Sequence, residues 1–169
     1  MRFEDILPAL AEGRGDIAAA NFTVTKERAQ IADFAEPYLP EVDEIVITHR
    51  DGPAIKTVDD LAGRSLYVLA GSSYIEHLMT LNKRFVSNGR KPMTIVEADP
   101  DFDHADILEL VNSGAVELTV ADEHIANLWS PIFPKIVVKS DPDRFLLGGL
   151  QRRIGKNSET AKESRRTRI

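Results

Sequence analysis

The sequence predicts an α/β fold in which mainly parallel strands alternate with crossover helices. Short β-prone runs, such as Glu-Ile-Val-Ile-Thr-His at 44–49 and Lys-Ile-Val-Val-Lys at 135–139, are typical of strands. Amphipathic stretches with apolar residues at helical spacing lie between such runs, as at 72–85 and 103–113. The regular succession of the two kinds of segment favours helices packed on both faces of a sheet.

The elements follow from the chain in order. An apolar face predicts a helix over 3–13 with Gly13 as its stop, and a buried strand follows at 16–20. Thr25 is the expected N-cap of the next helix, and Asp51-Gly-Pro53 separates the first fifty residues from the rest. Further strands are predicted at 44–49, 65–70, 93–97, 116–121 and 135–139. Further helices are predicted at 57–61, 72–85, 103–113 and 122–130.

Composition and charge exclude several classes of site and partner. The 169 residues contain no Cys, which excludes disulfides, thiolate zinc sites and cysteine nucleophiles. The net charge is −6, although the last 19 residues hold seven Lys or Arg against two Glu. The remainder is therefore acidic and does not favour nucleic acid, and the basic tail is interpreted as a solvated terminus. The sequence has no apolar run of the ~18 residues needed to span a bilayer, and the residues after Met1 do not form a signal peptide.

Three loops are candidate ligand sites because each follows a predicted strand, and ligands of doubly wound sheets bind at strand carboxyl ends. In the first loop, at 20–28, the hydroxyls of Thr23 and Thr25 stand near Arg28, whose guanidinium offers a bidentate fork to a carboxylate. A capped helix with a surface Arg is an equally good interpretation of this spacing.

The second and third loops have the same ambiguity. Gly71 and Ser72 lie between a strand and a helix, where exposed N–H groups attract anions, but a plain N-cap at Ser72 is favoured on sequence alone. The spacings of a phosphate loop and of a nucleophile elbow are both missing. In the third loop Asp122 is suited to accept an ammonium group or to cap a helix.

A metal site is not expected, and no cofactor is predicted. The acidic run at 99–103 resembles the start of a calcium loop, but His104 and Leu110 stand where that loop needs Gly and Glu. Helix capping by Asp103 is therefore the preferred interpretation, and the four His show no ligand spacing. The aromatic residues expected to pack in the core are Tyr74, Phe102 and Trp129.

The motifs of the first half resemble family 3 extracellular solute-binding proteins. They are LAEGRGDIAAA from residue 10, TVTKER from residue 23 and DFAEPY from residue 33. In the second half, VLAGSSYIEHL from residue 68, DILELVNSGA from residue 106 and TVADEHIAN from residue 119 resemble one branch of that family. This branch is the non-catalytic domain of membrane-bound lytic transglycosylase F. The likeness covers about residues 3 to 140, and the order and spacing of the motifs make it specific.

The resemblance implies a periplasmic-binding-protein-like fold of type II, with two lobes joined by a hinge. It assigns residues 1–48 to a partial first lobe, 49–138 to a complete second lobe, and 139–169 to the return into lobe one and a basic tail. The first lobe is expected to be truncated at its N-terminus, because the family begins with a strand, helix and strand that precede Phe3. Strands at 44–49 and 135–139 are the expected hinge.

The resemblance also implies a set of ligand-binding residues drawn from all three loops. These are Asn21, Thr23, Arg28, Gly71, Ser72, Ser73 and Asp122. Thr23 and Arg28 would hold a ligand carboxylate, the loop at 71–73 would close on it, and Asp122 would pair with an α-amino group. Asn21 stands where many transport-type members have Gly, which narrows the pocket or adds an amide donor.

The expected function is binding without catalysis. The ligand would be an amino acid or a short cell-wall peptide, and the binding event would regulate a transglycosylase catalytic domain in the periplasm. The parent protein would be attached to the outer membrane. One alternative is an amino-acid receptor of an ABC transporter, which nanomolar affinity for one amino acid would favour. A dehydratase-like enzyme using Asp122 or Glu123 would need a displaced pKa in the cleft. An interaction module without a ligand is the third alternative.

Overall fold

The computed structural model describes residues 1–37, 39 and 42–138. Its α-helices are α1 (Ile6–Ala11), α2 (Ser73–Ser87), α3 (His104–Ser113) and α4 (Glu123–Trp129). Its strands are β1 (Glu44–His49), β2 (Ser65–Val68), β3 (Thr94–Glu97), β4 (Leu118–Asp122) and β5 (Ile136–Val138). Short 3-10 helices cover Phe3–Asp5, Arg28–Gln30 and Val58–Leu61.

The five strands form a mixed sheet in the order β3-β2-β4-β1-β5. β2 is parallel to β3 and β4, whereas β1 is antiparallel to β4 and β5. Four strands therefore run in one direction, as predicted, and β1 runs against them. An alternation of strands and helices predicts parallel strands only where a crossover helix joins two strands. β1 precedes the helix-linked units and is not joined to β4 or β5 by such a helix, so its direction relative to them was not predicted.

Helices cover both faces of the sheet because alternate residues of its central strands point to opposite sides. On one face Val46 of β1 packs in a cluster with Leu78, Leu81 and Phe85 of α2. On the other face Ile45 and Ile47 pack in a second cluster with residues of α3 and α4, which include Leu108, Val111, Ile125 and Ala126. The result is a three-layer α/β arrangement with β1 and β4 buried along their length.

Local chemistry fixes the starts of the helices. Asp103 caps α3, since its Oδ1 accepts hydrogen bonds from the N–H groups of Ala105 and Asp106 at 2.7 and 3.1 Å. The Asp106 carboxylate accepts from the Asp103 N–H at 2.8 Å, which completes a capping box. The predicted capping role of Asp103 is therefore confirmed. Among the described residues, α2 is the longest helix, and none is long and apolar enough to cross a membrane.

The first thirty residues depart from the predicted elements. The strand expected at 16–20 is wrong: these residues form no strand, and the Ile17 side chain is 87% exposed. A strand is stable only beside a partner, and the described residues place no other strand next to this segment. The helix expected after Thr25 is the 3-10 helix Arg28–Gln30 rather than an α-helix, with the Thr25 hydroxyl accepting from the Arg28 N–H at 3.3 Å.

Other boundaries differ by a few residues. The helix expected at 57–61 is also a 3-10 helix, and the predicted helix at 3–13 divides into the 3-10 helix Phe3–Asp5 and α1. β1 takes part in the same sheet as β2, β3, β4 and β5. The predictions for residues 139–169, including the basic tail, lie outside the described residues.

Candidate functional site

The three candidate loops meet at one edge of the sheet. β2 and β4 are parallel neighbours, so the loop after Val68 and the start of α4 after Asp122 lie at the same end. A hydrogen bond from the Asp122 N–H to the Tyr74 Oη, 3.1 Å long, joins these two places. Arg28 joins the first loop to the second, because its Nη2 donates to the Gly71 carbonyl oxygen at 2.8 Å.

Arg28 is a buried cation at the centre of this edge, with only 8% of its surface exposed. Besides Gly71, its guanidinium binds the Thr23 carbonyl oxygen through Nη1 at 3.0 Å. Its Cζ lies 5.2 Å from the ring centroid of Phe22 and 5.9 Å from that of Phe3. Two carbonyl dipoles and two aromatic faces therefore stabilise the charge, and the surface Arg envisaged as an alternative is ruled out.

Three of the predicted residues, Asn21, Thr23 and Asp122, line a cavity of about 450 Å³. The wall is largely apolar, with residues of α1, of the segments 16–24 and 32–37, and residues 39 and 42. Its ionisable groups in the described structure are Asp16, Asp33, Glu36, Asp122 and His124. The cavity is therefore acidic, which favours a ligand that carries a cationic group.

Arg28 and the residues Gly71, Ser72 and Ser73 at the start of α2 do not line this cavity; Gly71 is connected to it through Arg28, which binds the carbonyl oxygens of Gly71 and Thr23. The Ser72 Oγ is buried and has no hydrogen-bond partner among the described residues, and its side chain does not cap α2. The Asp122 side chain does not cap α4 either. The capping roles considered for Ser72 and Asp122 are therefore not what the structure shows. A buried hydroxyl without a hydrogen-bond partner costs free energy, which makes the Ser72 Oγ a candidate ligand contact.

Sequence reasoning missed the polar groups behind Asp122. Tyr74, taken for a packing residue, is buried but has its hydroxyl between the Asp122 N–H and the His104 Nε2, the latter 3.2 Å away. Burial, together with the nearby Asp122 and Glu44 carboxylates, raises the pKa of Tyr74 well above 10.0, so the phenol stays protonated. Glu44 is itself paired with the half-buried His77, with 2.7 Å between Oε2 and Nδ1. The sequence signal that was available for this role is the position of Tyr74, in the first turn of the helix that follows the second loop.

Gly71 is held against the 3-10 helix at the N-terminus. Its φ is +67°, and a Cβ added there would lie 2.7 Å from the Glu4 Cβ. Gly71→Ala is therefore expected to lower the free energy of unfolding by about 1–2 kcal/mol through the left-handed backbone alone, and by more through the clash. Gly89→Ala is the control, because Gly89 has a φ of +70° but open space around it. Urea unfolding that gives equal losses for both variants would contradict the contact with Glu4.

Comparison with known sequences assigns the chain to a family. The sequence model of the bacterial extracellular solute-binding proteins, family 3, matches residues 1–163. Membrane-bound lytic murein transglycosylase F of Saccharophagus degradans is 30% identical over 138 residues, which are 81% of this chain and 26% of that protein. The amino-acid-binding protein AabA of Dichelobacter nodosus is 38% identical over 81 residues, which are 48% of this chain and 31% of that protein.

Solved structures show the same fold. An ancestral arginine-binding protein bound to arginine superposes with a TM-score of 0.69 and 26% identity, covering 82% of this chain and 57% of that one. The arginine-bound form of truncated ArgBP from T. maritima superposes with a TM-score of 0.64 at 22% identity, covering 82% and 59%. This chain thus spans about a quarter of the first of these sequence relatives and just over half of these structures. Its fold is of the type II periplasmic-binding-protein kind, and the chain belongs to the bacterial extracellular solute-binding proteins, family 3.

Proposed function

We propose that this chain binds an amino acid or a short peptide through its charged ends, and that it does so without catalysis. The observation that carries the proposal is the buried Ser72 Oγ, which lacks a hydrogen-bond partner in the described structure at the start of α2. A ligand carboxylate placed there would accept from this hydroxyl and from the N–H groups of the first helical turn. Gly71 and Ser73 flank it in the same loop.

Arg28 and Thr23 would hold the carboxylate from the opposite side. The Arg28 guanidinium now donates to two neutral carbonyl oxygens, those of Thr23 and Gly71. A charged carboxylate is a stronger acceptor than a carbonyl, by roughly a factor of two. A ligand is therefore able to replace the Gly71 carbonyl as the partner of Nη2, which would separate the two loops from direct contact and bridge them through the ligand.

Asp122 would bind the ligand's ammonium group. Asp122 is buried at the end of β4 and lines the same cavity as Asn21 and Thr23. Asn21 would supply an amide donor or narrow the pocket beside it. In this arrangement the carboxylate and ammonium ends of a zwitterion meet Arg28 and Asp122, respectively, so that each charge of the ligand is paired.

In the parent protein this binding would be regulatory. The matched relatives named as transglycosylases are about four times longer than the matched segment, which leaves room for a catalytic domain elsewhere in such proteins. We assign residues 1–48 to one lobe and 49–138 to the other, with the strands β1 and β5 as the hinge; the predicted return into the first lobe at 139–169 lies outside the described residues. Closure of the lobes on a cell-wall peptide in the periplasm would then alter the catalytic domain.

A second candidate is an amino-acid receptor for transport. The acidic lining of the cavity supports it, as does the likeness to an arginine-binding protein bound to arginine. Isothermal titration of the chain with L-arginine, L-glutamine and muropeptide stem peptides separates the two candidates. Tighter binding of a stem peptide would support wall sensing, and nanomolar binding of one free amino acid would support transport. No binding of any of them by the folded chain would refute both.

Ser72→Ala distinguishes a ligand-binding hydroxyl from a helix cap. If Ser72 capped α2, its loss would destabilise the fold by about 0.5–2 kcal/mol. Because the Oγ has no partner among the described residues, we expect an unchanged or slightly higher free energy of unfolding, together with about fivefold weaker ligand binding. Ser87→Ala, at the exposed end of the same helix, should change neither quantity. A destabilised Ser72→Ala with unchanged affinity would contradict the proposal.

A further inference from the structure

Two phenylalanine rings lie together against the Arg28 guanidinium. The Arg28 Cζ is 5.2 Å from the ring centroid of Phe22 and 5.9 Å from that of Phe3. The two ring centroids are 4.6 Å apart, with their planes tilted by 35°. Since the rings are closer to each other than either is to the Cζ, both lie on the same side of the cation. The rings of Phe3 and Phe22 are called the aromatic platform below.

Each ring of the aromatic platform is fixed by a different part of the chain. The Phe22 N–H donates to the Ala20 carbonyl oxygen at 2.7 Å, which makes a γ-turn in the first loop just before Thr23. Phe3 packs against a buried cluster that includes Leu69, the residue after β2. The platform is therefore held both by the first loop and by the end of the sheet from which the second loop starts.

The aromatic platform holds Arg28 without using its hydrogen-bond donors. A guanidinium carries its five N–H donors in its own plane, whereas an aromatic ring attracts a cation through the field of the ring face. Nη1 and Nη2 meanwhile donate to the carbonyl oxygens of Thr23 and Gly71. When a ligand carboxylate replaces the Gly71 carbonyl as the partner of Nη2, the rings and Thr23 keep the guanidinium in place.

We propose that Phe22, backed by Phe3, is a positioning residue for Arg28 and thereby sets the selectivity of the site for a ligand with a free carboxylate. This inference rests on the proposed function, because it assigns the ligand carboxylate to Arg28. Ordering a flexible side chain during binding opposes association, and a side chain that is ordered beforehand avoids this loss. Without the ring of Phe22, the Arg28 side chain occupies more rotamers and binds the carboxylate less well.

Nuclear magnetic resonance of the ligand-free chain tests the positioning. Rotation about the Nε–Cζ bond exchanges Nη1 and Nη2, and its rate reports how firmly the Arg28 guanidinium is held. This rate is expected to rise at least about threefold in Phe22→Leu, through the loss of one cation–π contact. Phe22→Tyr retains a ring face and should retain the wild-type rate. Phe133→Leu removes a half-buried ring that stacks on Trp129, and it is the control for the loss of an aromatic residue elsewhere.

Two ligand probes separate positioning from direct contact with the ligand. L-arginine and L-argininamide have the same side chain, and at about pH 6 both carry an α-ammonium group, but the second has a neutral amide in place of the carboxylate. The wild type is expected to prefer L-arginine. In Phe22→Leu the ratio of the two affinities should fall about three- to tenfold, the size of a cation–π contact. A ring that only contacted the ligand from the cavity wall would weaken the binding of both probes equally.

The possible outcomes distinguish this inference from the proposed function. An unchanged rotation rate in Phe22→Leu, or an unchanged ratio of the two affinities, overturns the positioning role. Tight binding of L-arginine would then still support the proposed function. No binding of either probe by the folded wild type counts against the proposed function and overturns the selectivity, while the rotation rate still decides whether the aromatic platform holds Arg28.

Discussion

Replacing Arg28 with alanine is expected to weaken ligand binding by about 100-fold, or ~2.7 kcal/mol, and to lower the free energy of unfolding by about 2–4 kcal/mol. Both effects follow from the buried position of the guanidinium. It donates to the carbonyl oxygens of Thr23 and Gly71, and it lies against the rings of Phe3 and Phe22. Its removal leaves two acceptors without their donor and takes the only assigned cation from the carboxylate end of the proposed site.

Arg28→Lys separates charge from geometry. Lysine keeps the positive charge but lacks the planar fork, so a single ammonium cannot reproduce the bonds to Thr23 and Gly71. We expect binding at least tenfold weaker than in the wild type. Arg50→Ala removes an exposed arginine and is the control for net charge. Titration calorimetry and urea unfolding measure the two effects, and Arg28→Lys with wild-type affinity would show that the geometry of the guanidinium is not needed for binding.

Phe85→Ala is the second large effect, and it acts on the fold rather than on the ligand. Phe85 is 1% exposed and packs in the cluster of α2 against the sheet. Truncation of a buried Phe to Ala costs about 3–5 kcal/mol, through lost burial and the cavity that remains. Since the free energy of unfolding of a domain is only about 5–15 kcal/mol, this variant is expected to lose a large part of its stability.

The neighbour of Phe85 supplies the matched control. Val86 follows it on the same helix but is 59% exposed, so Val86→Ala should change the free energy of unfolding by less than about 0.5 kcal/mol. Urea midpoints of the two variants and the wild type give the comparison. Similar losses in Phe85→Ala and Val86→Ala would contradict the assignment of the faces of α2, and with it the placement of Ser72 and Tyr74 at its start.

The sequence was sufficient for the parts of the fold that combine a local pattern with a buried partner. β1 was predicted with its bounds because Ile45, Val46 and Ile47 are β-prone and the structure buries both faces of the strand. The segment 16–20 is apolar but has three Ala, a residue type depleted in strands, and it forms no strand. Local propensity also cannot supply the neighbouring strand that a sheet needs.

The sequence predicted which loops form the candidate site, but it did not predict which hydrogen bonds join them. The ends of β2 and β4 identified the loops that carry Gly71 and Asp122, whereas the loop with Arg28 was predicted from a strand at 16–20 that does not form. The hydrogen bond between Arg28 and Gly71 joins residues 43 positions apart, and no spacing rule predicts it. The role of Tyr74 was hidden for the same reason, since its partners Asp122 and His104 lie 48 and 30 positions away. Long-range pairing of polar groups depends on the tertiary fold, which a single sequence does not encode in any local pattern.

The central claim is that a zwitterionic ligand lies between the start of α2 and Asp122, and one measurement tests it most directly. The ¹⁵N-labelled chain is titrated with L-arginine and, separately, with a muropeptide stem peptide, while the backbone amides and the Arg28 side-chain resonance are followed. The account predicts saturable shifts at Ser72, Ser73, Asp122 and Arg28, and their loss in Asp122→Asn. Shifts confined to other parts of the chain, or no shifts with either ligand in a folded sample, would contradict it.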